Sequence, residues 1–571
     1  MNENKRKLTC ENFFEEKSKK FCNSSISCFE DLSNDIFFKT FDYFDGHELF
    51  ESFSNLNFRF QEILHSSSIL LKSQFYLFNN DEMMNMFKDY MLTNRHQIIS
   101  ISIKFLINKS SFFSSFLFDS SYDHLQSICF KDIQSDTIIP VLNNLLLLPQ
   151  LFSLTIQTSN IAEKINEIYR LIFLLPKLKY FRISLSNNFH SLILLMIRNN
   201  QLSSIEYLVI DHYCSLNELE LLISYTPKLR RLTVHKIKTN NSNQIISSIE
   251  LNNLKSLYLN LSETTFDQSE RFFRKFFSNL NLLTIIVSND ITYLDGYRWE
   301  QLILNCFPQL EKFYFIYNEQ FKNAENSLLF PGKQNQFSSA FWIERKWLFE
   351  VEINYPYIQY TIRPFSNRWY HYPKYNIEHS TVNCLTFESF LQYTFIETIF
   401  KKIQYILTIT QIYYLEILEK NISIDLLIQL INLLPDLTTL KLHSLSIDET
   451  SELTANEVFI LCSMKETSQI TKVYLEEINH FKQIDFLFTL CPYMEYFKIE
   501  QINFMDIQAF LRIIFKKINR FNNHYLHALC FQFPILDDQI VQNIQDMIKY
   551  EKLLSNFTIK RLLNVMYLHW K

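Results

Sequence analysis

A short apolar pattern recurs along this chain at nearly constant intervals, and that periodicity constrains the fold more than any other feature of the sequence. From a position that is often proline, apolar residues follow at offsets +2, +5 and +7, as in "PQLFSLTI" (149–156), "PKLKYFRI" (176–183), "PKLRRLTV" (227–234), "PQLEKFYF" (308–315), "PDLTTLKL" (435–442) and "PYMEYFKI" (492–499). "HQIISISI" (96–103), "DHLQSICF" (123–130), "SSIEYLVI" (203–210), "NNLKSLYL" (252–259) and "SNLNLLTI" (278–285) fit the same template. The copies starting at 96, 123, 149, 176, 203, 227, 252, 278 and 308 are spaced by 24 to 30 residues, a regularity that independent loops do not keep. After a gap of 72 residues the pattern resumes at 380 ("STVNCLTF"), 410, 435, 468, 492 and 524, with looser steps of 24 to 33.

Alternation at +5 and +7 predicts a short strand whose inward side chains share a core, and the return segments have helical spacing. In "SLNELELLISYTPKL" (215–229), Leu216, Leu219, Leu222 and Ile223 recur at helical intervals before Pro227 ends the run. One such unit leaves its apolar face uncovered, so stacking is what stabilises it. The motif L-x-x-L-x-L in units of this length resembles a leucine-rich repeat. The resemblance implies an α/β chain built as a curved solenoid, with regular units over 71–317 and more degenerate ones over 380–571. The family's Asn or Cys beyond the strand is not consistently present here, and an irregular α/β domain whose strands share a period is the alternative.

At 571 residues the chain exceeds one compact core, which leaves several domains or one elongated array. Its three glycines, Gly46, Gly296 and Gly332, form no G-x-G-x-x-G or Walker loop, which argues against a dinucleotide or P-loop enzyme. A net charge of −5 gives no global attraction to nucleic acid, and no nucleic-acid partner is expected. The ten cysteines are scattered without a C-x-x-C pair and read as reduced thiols rather than a zinc site or disulfide framework. The start "MNENKRKLTCENFFEEKSKK" has no apolar signal core, and no long uncharged apolar run follows. The expectation is a soluble cytoplasmic or nuclear protein with no membrane partner.

The interruption at 318–379 holds the stretch "SSAFWIERKWLFEVEINYPYIQYTIRPFSNRWYHYP" (338–373), in which Trp342, Trp347 and Trp369 lie among Arg345, Lys346, Arg363 and Arg368. Aromatic residues and arginine concentrate in binding hot spots, so Trp342, Arg345, Trp347 and Trp369 are candidate target contacts. The competing reading is a packed hairpin or one or two irregular repeats, with the aromatics filling a core.

Residues 1–27 are polar and mixed in charge, and a disordered tail is expected. The next segment, 28–70, changes character: Leu32 to Leu64 holds eight phenylalanines in 33 residues. Ile36, Phe37, Phe41 and Phe44 predict a helix over about 34–43 with Ser33 as N-cap. Asp45 and Gly46 break it, Leu49, Phe50, Phe53 and Leu56 mark a second helix, and Phe60, Ile63 and Leu64 a third. The order Leu32-Ser-x-Asp35-Ile36-x-x-x-x-Phe41-x-Tyr43-Phe44, then Glu48-Leu49, Leu56-Asn57-x-Arg59-Phe60 and Leu64, resembles an F-box. That resemblance implies docking on a Skp-type adaptor, and through it on a cullin, by Leu32, Ile36, Phe37, Phe41, Tyr43, Phe44, Leu49, Phe53, Leu56 and Phe60. Ser33 stands where the family usually has proline, and Phe60 replaces its common tryptophan. The competing reading is a helical cap over the first repeat.

No constellation for catalysis emerges, and no cofactor is expected. "HELFE" (47–51) ends in Glu where a zinc-binding H-E-x-x-H needs His, and His371 in "RWYHY" reads as a packed histidine. Two functions remain: a non-catalytic substrate receptor of a ubiquitin ligase holding an unidentified target protein, or a repeat-based binding scaffold whose N-terminal helices only cap it. Exposure of Ile36, Phe41, Phe44 and Leu49 separates them, since a docking module leaves an apolar patch open and a cap buries it.

Overall fold

The computed structural model describes residues 29–66, 69–77, 81–105, 118–158, 164–185, 202–238, 249–277, 279–320, 336–365, 383–389, 396–447, 467–503, 506–520, 524–533 and 536–570. The expected tail, 1–27, lies outside these residues, as does Trp369.

Every copy of the apolar pattern becomes a strand. The first half contains β1 (Leu71–Leu77), β2 (Ile98–Phe105), β3 (Ser127–Lys131), β4 (Ser153–Thr158), β5 (Tyr180–Leu185), β6 (Tyr207–Ser215), β7 (Arg231–Lys238), β8 (Ile249–Glu250), β9 (Ser256–Asn260), β10 (Phe276–Phe277), β11 (Leu282–Ser288) and β12 (Lys312–Gln320). The second contains β13 (Trp347–Asn354), β14 (Tyr357–Pro364), β15 (Cys384–Ser389), β16 (Tyr414–Ile417), β17 (Thr439–Leu442), β18 (Lys472–Ile478), β19 (Tyr496–Ile502), β20 (Ala528–Gln532), β21 (Phe557–Leu562) and β22 (Val565–Trp570). β8 and β10 form a small parallel pair, and the other twenty strands described make one open, mostly parallel sheet.

Within that sheet, neighbours follow chain order. β1 to β7, then β9, β11 and β12, add in parallel one after another. β14 then pairs antiparallel with both β12 and β13, and β13 restores the original direction for β15 to β20. β22 closes the far end antiparallel between β20 and β21. The chain is thus mixed α/β, with the 318–379 interruption contributing a hairpin that keeps the sheet continuous.

The apolar offsets explain the register. The +5 residues Ile101, Ile128, Leu154, Phe181, Leu208 and Leu232 are successive cross-strand partners and all are buried, and Leu385, Leu415, Leu440, Val473 and Phe497 repeat the arrangement later. In β4, β5 and β11 their neighbours along the strand point the other way and are only part-buried, as period two requires. Helices fill the returns. Ile165–Leu174, Gly296–Cys306, Ile424–Leu433 and Phe481–Leu490 each stop two residues short of a proline, and the intervening Leu175, Phe307, Leu434 and Cys491 leave helical geometry as a pre-proline residue must.

A backbone contact ties each unit to the one before it. The amides of Lys179 and Tyr180 both donate to the Phe152 carbonyl at 2.8 Å, those of Glu206 and Tyr207 to Lys179, and those of Thr438 and Thr439 to Tyr413. Buried polar side chains serve the same purpose: Gln483 accepts from the Asn479 amide at 2.8 Å and donates to the Leu445 carbonyl at 2.7 Å.

His212 shows what such burial implies for pH. A carbonyl can only accept, so Nδ1 carries the proton toward the Tyr213 carbonyl (2.9 Å) and Nε2 accepts from the Tyr169 hydroxyl (2.8 Å). Burial holds the imidazole below its usual pKa. Because protonation favours the unfolded chain, the contribution is complete above the unfolded value of about 6.5 and is lost as pH falls below it. Thermal melting between about pH 7.5 and 5.5 should therefore show a smaller acid-side loss in His212→Gln than in the natural chain; equal slopes would refute the assignment.

Candidate functional site

The N-terminal segment folds as the spacing predicts, into α1 (Asn34–Phe41), α2 (Gly46–Phe53) and α3 (Phe58–Leu64). Ser33 occupies the N-cap position of α1 but makes no capping hydrogen bond. The side chains that do cap are Asp45, accepting from the His47 amide at 2.9 Å, and Asn57, accepting from the Phe60 amide at 3.0 Å. Arg59 ties the start of α1 to α3, donating to Asn34 Oδ1 (2.8 Å) and to the carbonyls of Leu32 (2.6 Å) and Glu30, with its guanidinium over the Phe37 ring. The interior is an aromatic stack in which Phe37 meets Phe60, Phe41 meets Phe53, and Phe53 meets Phe60, at centroid distances of 5.1, 5.0 and 5.4 Å.

The module is also bolted to the sheet. Besides capping α2, Asp45 accepts from the Gln74 amide of β1 at 2.6 Å, and Gln97 donates to the carbonyls of Leu64 and Ser66 at 2.8 and 2.9 Å. Gly46 is not the helix breaker expected from the sequence but the first residue of α2. A Cβ there would stand 2.5 Å from Ser73 Oγ and 2.6 Å from the Tyr90 hydroxyl, so glycine is required by close approach to β1 and to α4 (Asp81–Thr93). Ser73 and Tyr90 bond each other at 2.7 Å beneath it.

These attachments divide the ten residues implicated in adaptor contact. Phe37, Phe41, Leu49 and Phe60 are interior and hold the module together, so none can reach a partner without unfolding it. Leu32 and Phe53 are part-buried. The accessible ones are Tyr43 (92% exposed), Leu56 (59%), Ile36 (45%) and Phe44 (42%), joined by Phe58 (72%), which sequence spacing did not single out. Ile36 and Tyr43 fall seven positions apart along one side of α1 and its continuing turn.

In the interruption of the repeats, Trp342 and Trp347 are buried, against Phe337 and Phe313 respectively, with centroids 5.1 and 5.6 Å apart. Neither ring is on the surface for a target to touch, and the packed-hairpin reading describes them. Arg345 is part-exposed and stacks over Phe341 at 4.0 Å. Among the described residues no group of three or more His, Cys, Asp or Glu is placed to hold a metal ion. Burial pushes the Cys384 and Cys530 thiols up to about 12 and about 11, away from nucleophilic thiolate. No described helix is long and apolar enough to cross a membrane.

Gly46→Ala should loosen α2 from β1 at a cost of about 1–3 kcal/mol, read as faster amide exchange over 46–53 and 71–77, whereas Tyr43→Asp should change stability by less than about 0.5 kcal/mol. No family model matches this chain and no curated protein matches it, so its functional reading rests on its own residues.

Proposed function

We propose that the three-helix module is an F-box that docks on a Skp-type adaptor, and that the strand–helix array behind it is a leucine-rich-repeat-like solenoid presenting a bound target protein for ubiquitination. The observation that carries this reading is the split within the module. Its inner residues anchor it to β1, yet Ile36, Tyr43, Phe44, Leu56 and Phe58 remain exposed on so small a unit. A structural cap has no use for that much open apolar surface, and such patches mark interaction sites. The chain itself performs no chemistry in this scheme. It raises the local concentration of target lysines near a ligase active centre elsewhere in the complex.

Target binding suits the outward strand positions, many of which are polar where the inward ones are apolar. Lys441 bridges Glu416 and Glu476 at 2.7 and 3.2 Å, and Arg363 holds Glu350 through two bonds of 2.6 Å. The cap reading has an observation of its own, the Asp45–Gln74 and Gly46 contacts with β1. The two are compatible, because different faces of the module serve them.

Co-purification of the full chain with a Skp-type adaptor should occur and should be lost in the triple variant Ile36→Asp, Tyr43→Asp, Leu56→Asp, with its melting temperature retained. Failure of the natural chain to bind any adaptor paralogue would leave only the scaffold reading.

A further inference from the structure

Charge is unevenly shared along the sheet. Strands β1 to β7 carry seven lysines and arginines and a single carboxylate, Asp211. From β13 to β20 the balance reverses, with four cations and seven glutamates. The pairing differs as well. In the second half Arg363, Lys441 and Lys498 each hold a glutamate, at 2.6, 2.7 and 2.5 Å. In the first half Arg182 reaches Asp211 only at 3.9 Å, and among the described residues no carboxylate lies within ion-pair distance of Lys104, Lys131 or Arg231. Lys236 and Lys238 lie over the Tyr213 ring at 5.5 and 4.3 Å, and Lys238 forms a β-bridge with Glu263, so these two have local partners.

The strand register sets the remaining cations in a line. Lys104 faces Lys131 directly across β2 and β3. Lys131, Gln157 and Ser184 are successive partners, so Arg182 stands two strands further on and one outward position back. Arg182, Val209 and Thr233 follow in register, and Arg231 again stands two strands on and one position back. The line crosses five strand steps of about 4.8 Å and four residues of about 3.3 Å each, roughly 27 Å on the diagonal. Beside it the outward positions Ser100, Ser102, Ser127, Cys129, Ser153 and Thr155 are small, neutral and part-buried, so no long side chain stands between the charges there. Like charges on facing positions destabilise a sheet, and the fold offers Lys104 and Lys131 nothing that offsets this. Asp132 follows Lys131 at a left-handed backbone position, φ 59°, and makes no ion pair with it. The sequence that follows β2, β5 and β7, at 106–117, 186–201 and 239–248, contains no Asp or Glu.

We infer that this face of β2 to β7 binds an acidic polypeptide segment, whose Asp and Glu side chains supply the counterions that the fold does not. Complementary charge draws such a partner in and fixes its orientation. The diagonal matches about eight residues of extended chain at about 3.4 Å each. A nucleic acid suits the face less well, because the net charge of −5 and the glutamates of β13 to β20 repel a long polyanion. Screening over about 8 Å at physiological salt lets a short segment respond mainly to the cations beneath it. As the target-binding face this surface deepens the receptor reading and rests on it; as an acid-binding face it is tested with no adaptor present. A chain that binds acidic peptide but no adaptor would therefore lose the receptor reading alone.

The test is fluorescence anisotropy of the full chain with three labelled probes. They are a peptide of about eight residues alternating Glu and Ser, the same peptide with Gln for Glu, and a single-stranded oligonucleotide of equal net charge. The Glu peptide should bind saturably in about 50 mM salt and weaken severalfold in about 300 mM, as screening shortens. The Gln peptide should bind at least about tenfold more weakly, since each exposed ion pair contributes up to about fivefold. The triple variant Lys104→Gln, Lys131→Gln, Arg231→Gln should lose at least about tenfold in affinity for the Glu peptide on the same grounds. Its melting temperature should not fall, because the facing lysines no longer repel, and Lys498→Gln, in the second half, should bind as the natural chain does. Absence of saturable binding at millimolar Glu peptide, equal affinity for the Glu and Gln peptides, or unchanged affinity in the triple variant overturns the proposal. So does an equal loss in Lys498→Gln, and tighter binding of the oligonucleotide than of the Glu peptide assigns the face to nucleic acid instead.

Discussion

The structure depends on one constraint: a strand that exposes apolar side chains on one face, and unpaired backbone along its edge, must be followed at once by another. Most units meet this by placing their +2, +5 and +7 residues in line with those of the predecessor and by sending two consecutive amides to a single carbonyl there. Packing and hydrogen bonding therefore act between the same pair of neighbours, and every unit is stabilised mainly by the one before and the one after. Removing one large inward side chain, such as Leu208, would damage two interfaces at once, which explains why the pattern is kept so strictly where the rest of the sequence varies.

The strand framework was legible because it follows from side-chain period alone, and all fifteen pattern positions became strands. What escaped notice did so for identifiable reasons. β1 carries Ser73 at an inward position where the template needs an aliphatic residue, its hydroxyl satisfied by Tyr90, so the apolar signal fails there. The hairpin of β13 and β14, by contrast, was one of the two readings of the interruption, while β21 and β22 escaped because they turn at Leu563 and Asn564, with φ 54° at Leu563 and no glycine to announce it.

The candidate docking module was legible as three helices but not as a surface. Spacing identifies residues that belong together without saying which of them face inward, and Phe37, Phe41, Leu49 and Phe60 turned out to be the interior. Gly46 misled for a related reason, since glycine marks both a turn and a close approach, and only the neighbouring Ser73 and Tyr90 distinguish them. Trp342 and Trp347 were conspicuous by composition, yet their packing turned them inward, with significance for the chain's interior rather than for its outer surface.

The single file of strands also makes the sheet a ruler. From β1, where the helical module is anchored, to β13, in the interrupting hairpin, there are eleven strand-to-strand steps, each of about 4.8 Å, or roughly 50 Å measured along the ladder. That distance can change only by whole units, because a partial unit would break the register on both sides. Gain or loss of one repeat would move the hairpin by about 5 Å relative to the module while leaving both intact. The separation of the module from the hairpin, and the internal packing of each, are in this way set by separate parts of the same chain.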